Sequence, residues 1–551
     1  MERNLADIFE IVVDTVPDRE ALVVGFGERR LTYAALDERA NRLADHLARA
    51  GIGAGDHVAA YLYNGSEFIE TMLAAFKLRA AVVNVNYRYV ATELAYVLRD
   101  SDAKAVVYDT RFTPTLAEVE SDLPKLGARL AVGDGDTVPG SIHYEEALAS
   151  GSPVRPQIRR TGDDLYLLYT GGTTGMPKGV MWRHSDILAA GLGDLDGART
   201  RDEQEARVRD GRVDRHLPAC PLMHGAAQWV ALATFYAGGT VILSPDPRLD
   251  AGRLAELIAA ERATIVTIIG DAVGRPLADA AAARPKLDLS AVRVILNSGA
   301  TVSPAVKDDL MARMPGAFIY DTYGSSESGT FAKSTSGAGK TPAQGRFAPR
   351  DDAVVLDDDL RPVKPGSGVV GRLARSGPVA LGYYNDPEKT AATFPVIDGV
   401  RYIVTGDHAT VEADGTVQVL GRGSACINTG GEKVYPDEVE GALKSHPEVA
   451  DAMVVGVPDE RFGERVVALV VARGDDVPVD LDEHVRRHVA GYKAPRQVFR
   501  VEAVERFPSG KPDYAWARER ASELAGREPA PAAAPAPPPS SRASTSSHNP
   551  A

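Results

Sequence analysis

Polar and apolar positions along this chain recur with two periods. Residues 5–16 carry apolar side chains at helical spacing, and Leu36, Ala40, Leu43 and Leu47 continue that spacing behind Thr32, a residue suited to cap a helix start. Short apolar runs at 21–24, 58–61, 81–85 and 105–108 have the length of buried strands, and helical patterns at 67–78 and 92–99 separate them. Further runs at 263–269 and 292–296 read as strands, and Asp271 is either a pocket residue or, the preferred reading, the cap of a helix over 272–282. Such alternation predicts α/β layers with parallel strand pairing. Residues 193–215 are polar and charge-rich, a solvated excursion or surface helix.

From Val354 the pattern changes to short strands and turns, which predicts a small β subdomain. The last hundred ordered residues then alternate again: helix over 436–443, extended segments over 450–457 and 465–472, helix over 481–489. The division that follows is a large N-terminal domain (1–421) of layered α/β subdomains plus the β subdomain, a smaller mobile α+β domain (422–525), and a Pro/Ala/Ser-rich tail (526–551) unable to bury apolar area. His484 and His488 share a helix face but lack the further ligands of a zinc site.

A length of 551 residues is too great for one core, and 44% hydrophobic with 25% charged residues is ordinary for a globular protein. A net charge of -14 with interspersed signs disfavours nucleic acid as a main partner. No apolar run is long enough to span a membrane and the polar start shows no signal peptide, though contact with a membrane surface stays open. Two cysteines, Cys220 and Cys426, cannot make a disulfide framework here, so a cytoplasmic, reducing setting is expected. Cys426 has no base partner nearby in sequence and reads as a small buried residue.

Candidate chemistry centres on Tyr169-Thr-Gly-Gly-Thr-Thr-Gly-Met-Pro-Lys-Gly-Val180, directly after the apolar run Leu165–Leu168. Its glycines and hydroxyls predict a flexible loop whose N–H groups close round phosphate oxygens, with Lys178 adding positive charge. A Walker loop is excluded, because Ser334 stands where the first glycine before Gly339-Lys340-Thr341 belongs. No G-x-G-x-x-G occurs, and Ser328 breaks a G-x-S-x-G reading from Gly324.

Order and spacing of the 169–180 stretch resemble the phosphate loop of the adenylate-forming superfamily, which includes acyl-CoA synthetases, firefly luciferase and the adenylation domains of peptide synthetases. Later motifs match in the same order: Pro218-Ala-Cys-Pro-Leu-Met-His-Gly225, Asn297-Ser-Gly-Ala-Thr301, Ile319-Tyr-Asp-Thr-Tyr-Gly-Ser-Ser-Glu-Ser-Gly329, Tyr402-Ile-Val-Thr-Gly-Asp407, Gly421–Pro436 and Phe507-Pro-Ser-Gly-Lys-Pro512. Gly270-Asp-Ala272 and Met181-Trp-Arg-His184 resemble actinobacterial acyl-CoA synthetases, including those acting on steroid side chains.

The resemblance implies a set of roles. Thr170, Gly171, Gly172, Thr173, Thr174, Gly175 and Lys178 would hold the phosphates of ATP. Ser298, Gly299 and Ala300 would border adenine and the acyl group. Asp321 would accept from the adenine amino group, Thr322 to Ser325 would surround the ring with Tyr323 stacked on it, and Ser326 would bond phosphate or carboxylate. Glu327, with Thr170, would hold Mg²⁺; His224 would orient the substrate carboxylate, with Gln228 and Trp229 along the acyl tunnel. Asp407 would take the ribose hydroxyls and Arg422 ribose or phosphate. Gly430, Gly431, Glu432 and Lys433 would face the coenzyme A thiol after the small domain rotates, and Lys511 would carry the catalytic ammonium for adenylation. Ser424 and Ala425 replace the Lys-Asp of many relatives, which leaves the hinge residue undefined.

The implied reaction joins a carboxylic acid to ATP as an acyl-adenylate and passes it to coenzyme A, with a medium- or long-chain fatty acid or a steroid-linked acid as substrate. The small residues Gly225, Ala226, Ala227, Gly299 and Ala300 leave room for such an acid. Transfer to a carrier protein, a luciferase-type oxygenation and a nucleotide-sensing protein without turnover are the alternatives. Glu327 and Lys511, which mere nucleotide binding does not need, favour an enzyme. A homodimer is a further expectation from the resemblance.

Overall fold

The computed structural model describes residues 1–527 except 173–174, 338–341, 343–344, 430–431, 460–461, 475 and 508–510; the expected tail from 528 and the Gly339-Lys340-Thr341 decoy lie outside the described residues. Helix Leu5–Thr15 opens the chain, and Thr32 caps helix Tyr33–Arg49 by accepting the Ala35 N–H at 3.2 Å. Leu36, Ala40, Leu43 and Leu47 on that helix are fully buried, as their spacing requires.

Strands Ala81–Asn84, His57–Tyr61, Ala103–Asp109, Ala128–Val132 and Ile142–His143 form a wholly parallel sheet in that order. A second, larger sheet has a parallel run of Glu20–Val24, Thr240–Leu243, Arg215–Pro218, Ile265–Ile268, Val294–Asn297 and Phe318–Ser325. The polar excursion contains the surface helix Arg201–Asp210, started by a capping box of Thr200 and Glu203.

The strands of the β subdomain extend the large sheet: Arg346–Pro349 pairs with Gly329–Ser336 on one side and Val417–Arg422 on the other. Two local expectations need correction. Asp271 is not an N-cap. The helix starts two residues earlier than expected, at Gly270, and the Asp271 carboxylate instead accepts the Ser303 N–H at 2.8 Å. Gly270 permits this because it has φ +54 and approaches the 300–301 backbone so closely that a Cβ would lie 2.8 Å from the Thr301 carbonyl oxygen. Finally, most of the glycine-rich stretch is an antiparallel hairpin rather than a free loop. Leu165–Gly172 pairs with Gly175–Arg183, with Thr170 opposite Lys178 and Gly172 opposite Gly175. Gly171 belongs to the same arm, and Thr173 and Thr174 at the tip lie outside the described residues.

The C-terminal lobe has a sheet of its own. Glu432–Val434, Ile427–Thr429, Gly463–Ala472 and Val449–Asp459 are joined by Gln497–Arg500, which runs parallel to Gly463–Ala472. Helices Pro436–Lys444, Leu481–His488 and Tyr514–Arg527 accompany it. Among the described residues no cluster of three or more metal-binding side chains occurs, and no helix is long and apolar enough to cross a membrane.

Candidate active site

The parallel strands of the large sheet aim their carboxyl ends at one cavity of about 960 Å³. Ser298 and Gly299 follow Val294–Asn297, while Thr322, Tyr323, Gly324, Ser325 and Ser326 come from the end of Phe318–Ser325 and the turn beyond it. Thr170 reaches the same space from the hairpin, and His224 from the turn before helix Gly225–Tyr236. The opposite wall belongs to the C-terminal lobe, with Asp451, Arg506, Phe507 and Lys511. Thus nine of the expected large-domain positions and Lys511, 341 residues after Thr170, meet round one space.

Buried amides keep these loops in place. The Asn84 side chain donates to the carbonyls of Tyr169 (2.8 Å) and Met223 (2.6 Å) and accepts the Tyr169 N–H (2.7 Å), tying the hairpin to the His224 turn. Asn297 likewise donates to Ala300 O and Asp321 and accepts the Gly270 N–H. Ser325 and Ser328 bond one another across the tight turn before Gly329. The partners of Asn84 lie 85 and 139 positions away, so no local pattern in the sequence reveals them.

His224 is a half-buried histidine in the pocket wall whose ring tip is enclosed. Its Nε2 is shielded from solvent and has no hydrogen-bond partner among the described residues. Burial pushes its pKa down to about 4, and the charges of Lys511 and Arg88 push the same way. A neutral imidazole therefore faces the cavity with one ring nitrogen unsatisfied, suited to a ligand that brings a polar atom. Beyond it the lining turns apolar with Trp229, Val230, Ile269, Val273 and Pro276. Of the small residues, Gly225, Ala226 and Gly299 line the cavity, whereas Ala227 and Ala300 do not. Gln228 does not line it either. It is fully buried, accepts from Tyr166 at 2.7 Å and donates to Leu222 O, so it braces the wall that Trp229 forms.

Other expected residues stand outside the lining. Asp321 is buried with Lys307 Nζ at 2.5 Å on one oxygen and Asn297 at 3.0 Å on the other. Lys178 Nζ lies 2.5 Å from Asp386 and 5.6 Å from the centre of the Tyr383 ring. Tyr383 also donates its hydroxyl to Glu327 Oε1 at 2.9 Å, so one aromatic side chain touches both the hairpin lysine and the acidic turn. Tyr383 and Asp386 were not anticipated as site residues; Gly382–Pro387 reads as turn sequence, and Gly382–Tyr383 becomes the third strand beside the hairpin. Asp407 faces Arg422 across a ladder rung, and the Arg422 side chain lies outside the described residues, as do Gly430 and Gly431. Glu432 and Lys433 are exposed on the lobe. Burial pushes the Cys426 thiol up, away from a reactive thiolate.

A two-domain α/β architecture with strand-end loops on one wall and a lobe-borne lysine on the other defines the adenylate-forming class of enzymes. The chain belongs to the AMP-binding enzyme family, which it matches over residues 9–384, with the AMP-binding enzyme C-terminal domain over 438–511. It is 46% identical over 540 residues to 3-oxocholest-4-en-26-oate–CoA ligase of Rhodococcus rhodochrous, covering 94% of this chain and 96% of that protein. It is 44% identical over 534 residues to medium/long-chain-fatty-acid–CoA/3-oxocholest-4-en-26-oate–CoA ligase of Mycobacterium marinum, with the same coverage. The ATP-bound structure of MatB from Rhodopseudomonas palustris superposes with a TM-score of 0.80 at 26% identity, covering 95% of this chain and all of that one.

Proposed function

We propose that the protein is an ATP-dependent acyl-CoA ligase that activates a medium- or long-chain fatty acid or a steroid side-chain carboxylic acid. The single observation that carries this reading is the seating of Lys511 against the cavity that also holds Thr170, His224 and the 322–326 loop. Adenylation joins two anions at the α-phosphorus, and an ammonium beside preorganised N–H and hydroxyl donors stabilises the charge that gathers there. Lys511 supplies that ammonium; Thr170, Ser325 and Ser326 supply donors. His224, held neutral by its surroundings, orients the substrate carboxylate without adding a competing charge. The apolar end round Trp229 and Val273 takes the hydrocarbon body.

Glu327 and Thr170 offer one carboxylate and one hydroxyl, the hard oxygen donors that suit Mg²⁺ sharing its shell with phosphate oxygens and water. The Tyr383 hydroxyl on Oε1 leaves the second Glu327 oxygen for such an ion. A bound Mg²⁺ would neutralise phosphate charge. Asp407 and Arg422, opposite each other on neighbouring strands, suit the ribose. Release of pyrophosphate frees the lobe to turn, and the coenzyme A thiol then displaces AMP from the acyl group. The names of both relatives, together with the apolar cavity, favour coenzyme A and a bulky acid over the carrier-protein and sensor readings.

The test is a panel of acids from acetate to 3-oxocholest-4-en-26-oate, each incubated with ATP, Mg²⁺ and coenzyme A. Thioester and pyrophosphate should form together for the larger acids. Pyrophosphate release that coenzyme A neither accelerates nor converts to thioester would overturn the ligase assignment.

A further inference from the structure

Asp271 and Lys444 belong to different domains and are both buried, 7% and 8% exposed. Asp271 sits in the first turn of helix Gly270–Ala282, at the rim of the cavity, and one of its oxygens is committed to the Ser303 N–H. The other lies 3.8 Å from Nζ of Lys444, the last residue of the lobe helix Pro436–Lys444. Burial alone would push the Lys444 ammonium down, but the carboxylates of Asp271, Asp451 and Glu440 outweigh it and raise its pKa, against a smaller opposing push from Arg506. Asp451 and Glu440 have other commitments. Arg506 places one nitrogen 2.8 Å from both oxygens of Asp451, while Glu440 accepts the Val454 N–H and the Tyr514 hydroxyl. Those two carboxylates are on the lobe and travel with Lys444. Asp271 stays behind when the lobe turns.

We propose that the Asp271–Lys444 pair is a latch that holds the lobe in the orientation with Lys511 at the cavity, which makes Asp271 a positioning residue for acyl-adenylate formation and not for thiol capture. The proposal rests on the ligase reading above. A buried ammonium that loses one of its carboxylates is destabilised, so the pair favours the orientation in which it forms. Asp271 touches the lobe from the cavity rim, so the same carboxylate borders the reacting space and the moving body.

Asp271→Asn removes the charge and keeps an acceptor for Ser303; Lys444→Met removes the partner and keeps the aliphatic stem. Each is assayed twice: for the pyrophosphate burst with ATP and the best acid of the panel, and for thioester formation from preformed acyl-adenylate and coenzyme A. Both should slow the burst about five- to tenfold and leave thiol capture unchanged or faster. The double variant should lose no more than either single one, the signature of a shared interaction. Equal losses in both half-reactions, additive losses, or no loss would overturn the latch. If the unmodified enzyme makes neither pyrophosphate nor thioester, the ligase reading falls and takes the latch with it.

Discussion

The two walls of the cavity are held by different forces. On the large domain, neutral amides and hydroxyls fix the loops: Asn84, Asn297, Thr322 and Ser325 bond to backbone groups of the neighbouring loops. The facing surface of the C-terminal lobe is charged, with Asp451, Arg506 and Lys511 at the cavity and Lys444 reaching across to Asp271. Short-range neutral bonds suit a wall that must keep its shape. Charged contacts can be exchanged for water or for a ligand's phosphates, so they suit a wall that must arrive and leave. On the ligase proposal, one side is preorganised and the other is delivered.

The sharpest way to break this contrast is Lys511→Ala. Loss of a preorganised cation at a phosphoryl centre should cost adenylation a factor of about 10² to 10³, while thioester formation from preformed acyl-adenylate changes little. Single-turnover pyrophosphate release and thioester assays check it, and equal damage to both halves would refute a delivered wall.

The preorganised side is tested by Asn84→Ala. The buried side chain satisfies both backbone groups of Tyr169 and the Met223 carbonyl, and leaving them unpaired costs about 2–4 kcal/mol. Denaturant unfolding should show that loss, and both half-reactions should fall together, because the hairpin and the His224 turn lose their shared anchor. A stable variant with an altered ratio of the two halves would count against it.

Much of this architecture is legible from the sequence, and the reason is locality. Apolar runs mark the strands, period 3.6 marks helix Tyr33–Arg49, and glycine-rich polar segments mark the loops at the strand ends. Thr170, His224, Tyr323 and Lys511 fall at the cavity because each belongs to a short motif whose spacing is intact. What escaped depends on partners far away in sequence. Lys178 and Asp386 are 208 positions apart, and Tyr383 and Glu327 are 56 apart. Nothing in the segment of Asp321 shows that Lys307, on the helix before it, pairs with its carboxylate. The same blindness made Asp271 look like a cap.

The two walls should also differ in their response to acid. Burial in the large domain pushes His184 down to about 4, His216 to about 3 and His224 to about 4. Each folded pKa lies below the unfolded value near 6.5, so between about pH 6.5 and pH 4 the unfolded chain binds more protons. Their stabilising contribution is present above pH 6.5 and is lost as pH falls, by at most about 1.4 kcal/mol per pH unit for each group. Trp182 and Trp229 report on the large domain and Trp516 on the lobe. Acid titration of single-tryptophan variants should show the large-domain signals changing first, and His216→Asn should flatten that dependence.

The smallest expected effect concerns Lys178. Its ammonium holds the Asp386 carboxyl below the usual carboxylate range, yet both side chains are about a third exposed, so the pair contributes under ~1 kcal/mol to stability. Asp386→Asn should leave the unfolding midpoint unchanged within error. Its consequence is positional. The pair keeps Lys178 outside the cavity lining, beside Tyr383, and a lysine that must reach phosphate has to leave that carboxylate. Freed of it, Lys178 should bind ATP slightly better, with KM for ATP falling about two- to threefold at low salt and the difference shrinking as ionic strength rises. A rise in KM for ATP would mean instead that Asp386 presents the lysine to the nucleotide, and the hairpin would then belong wholly to the preorganised wall.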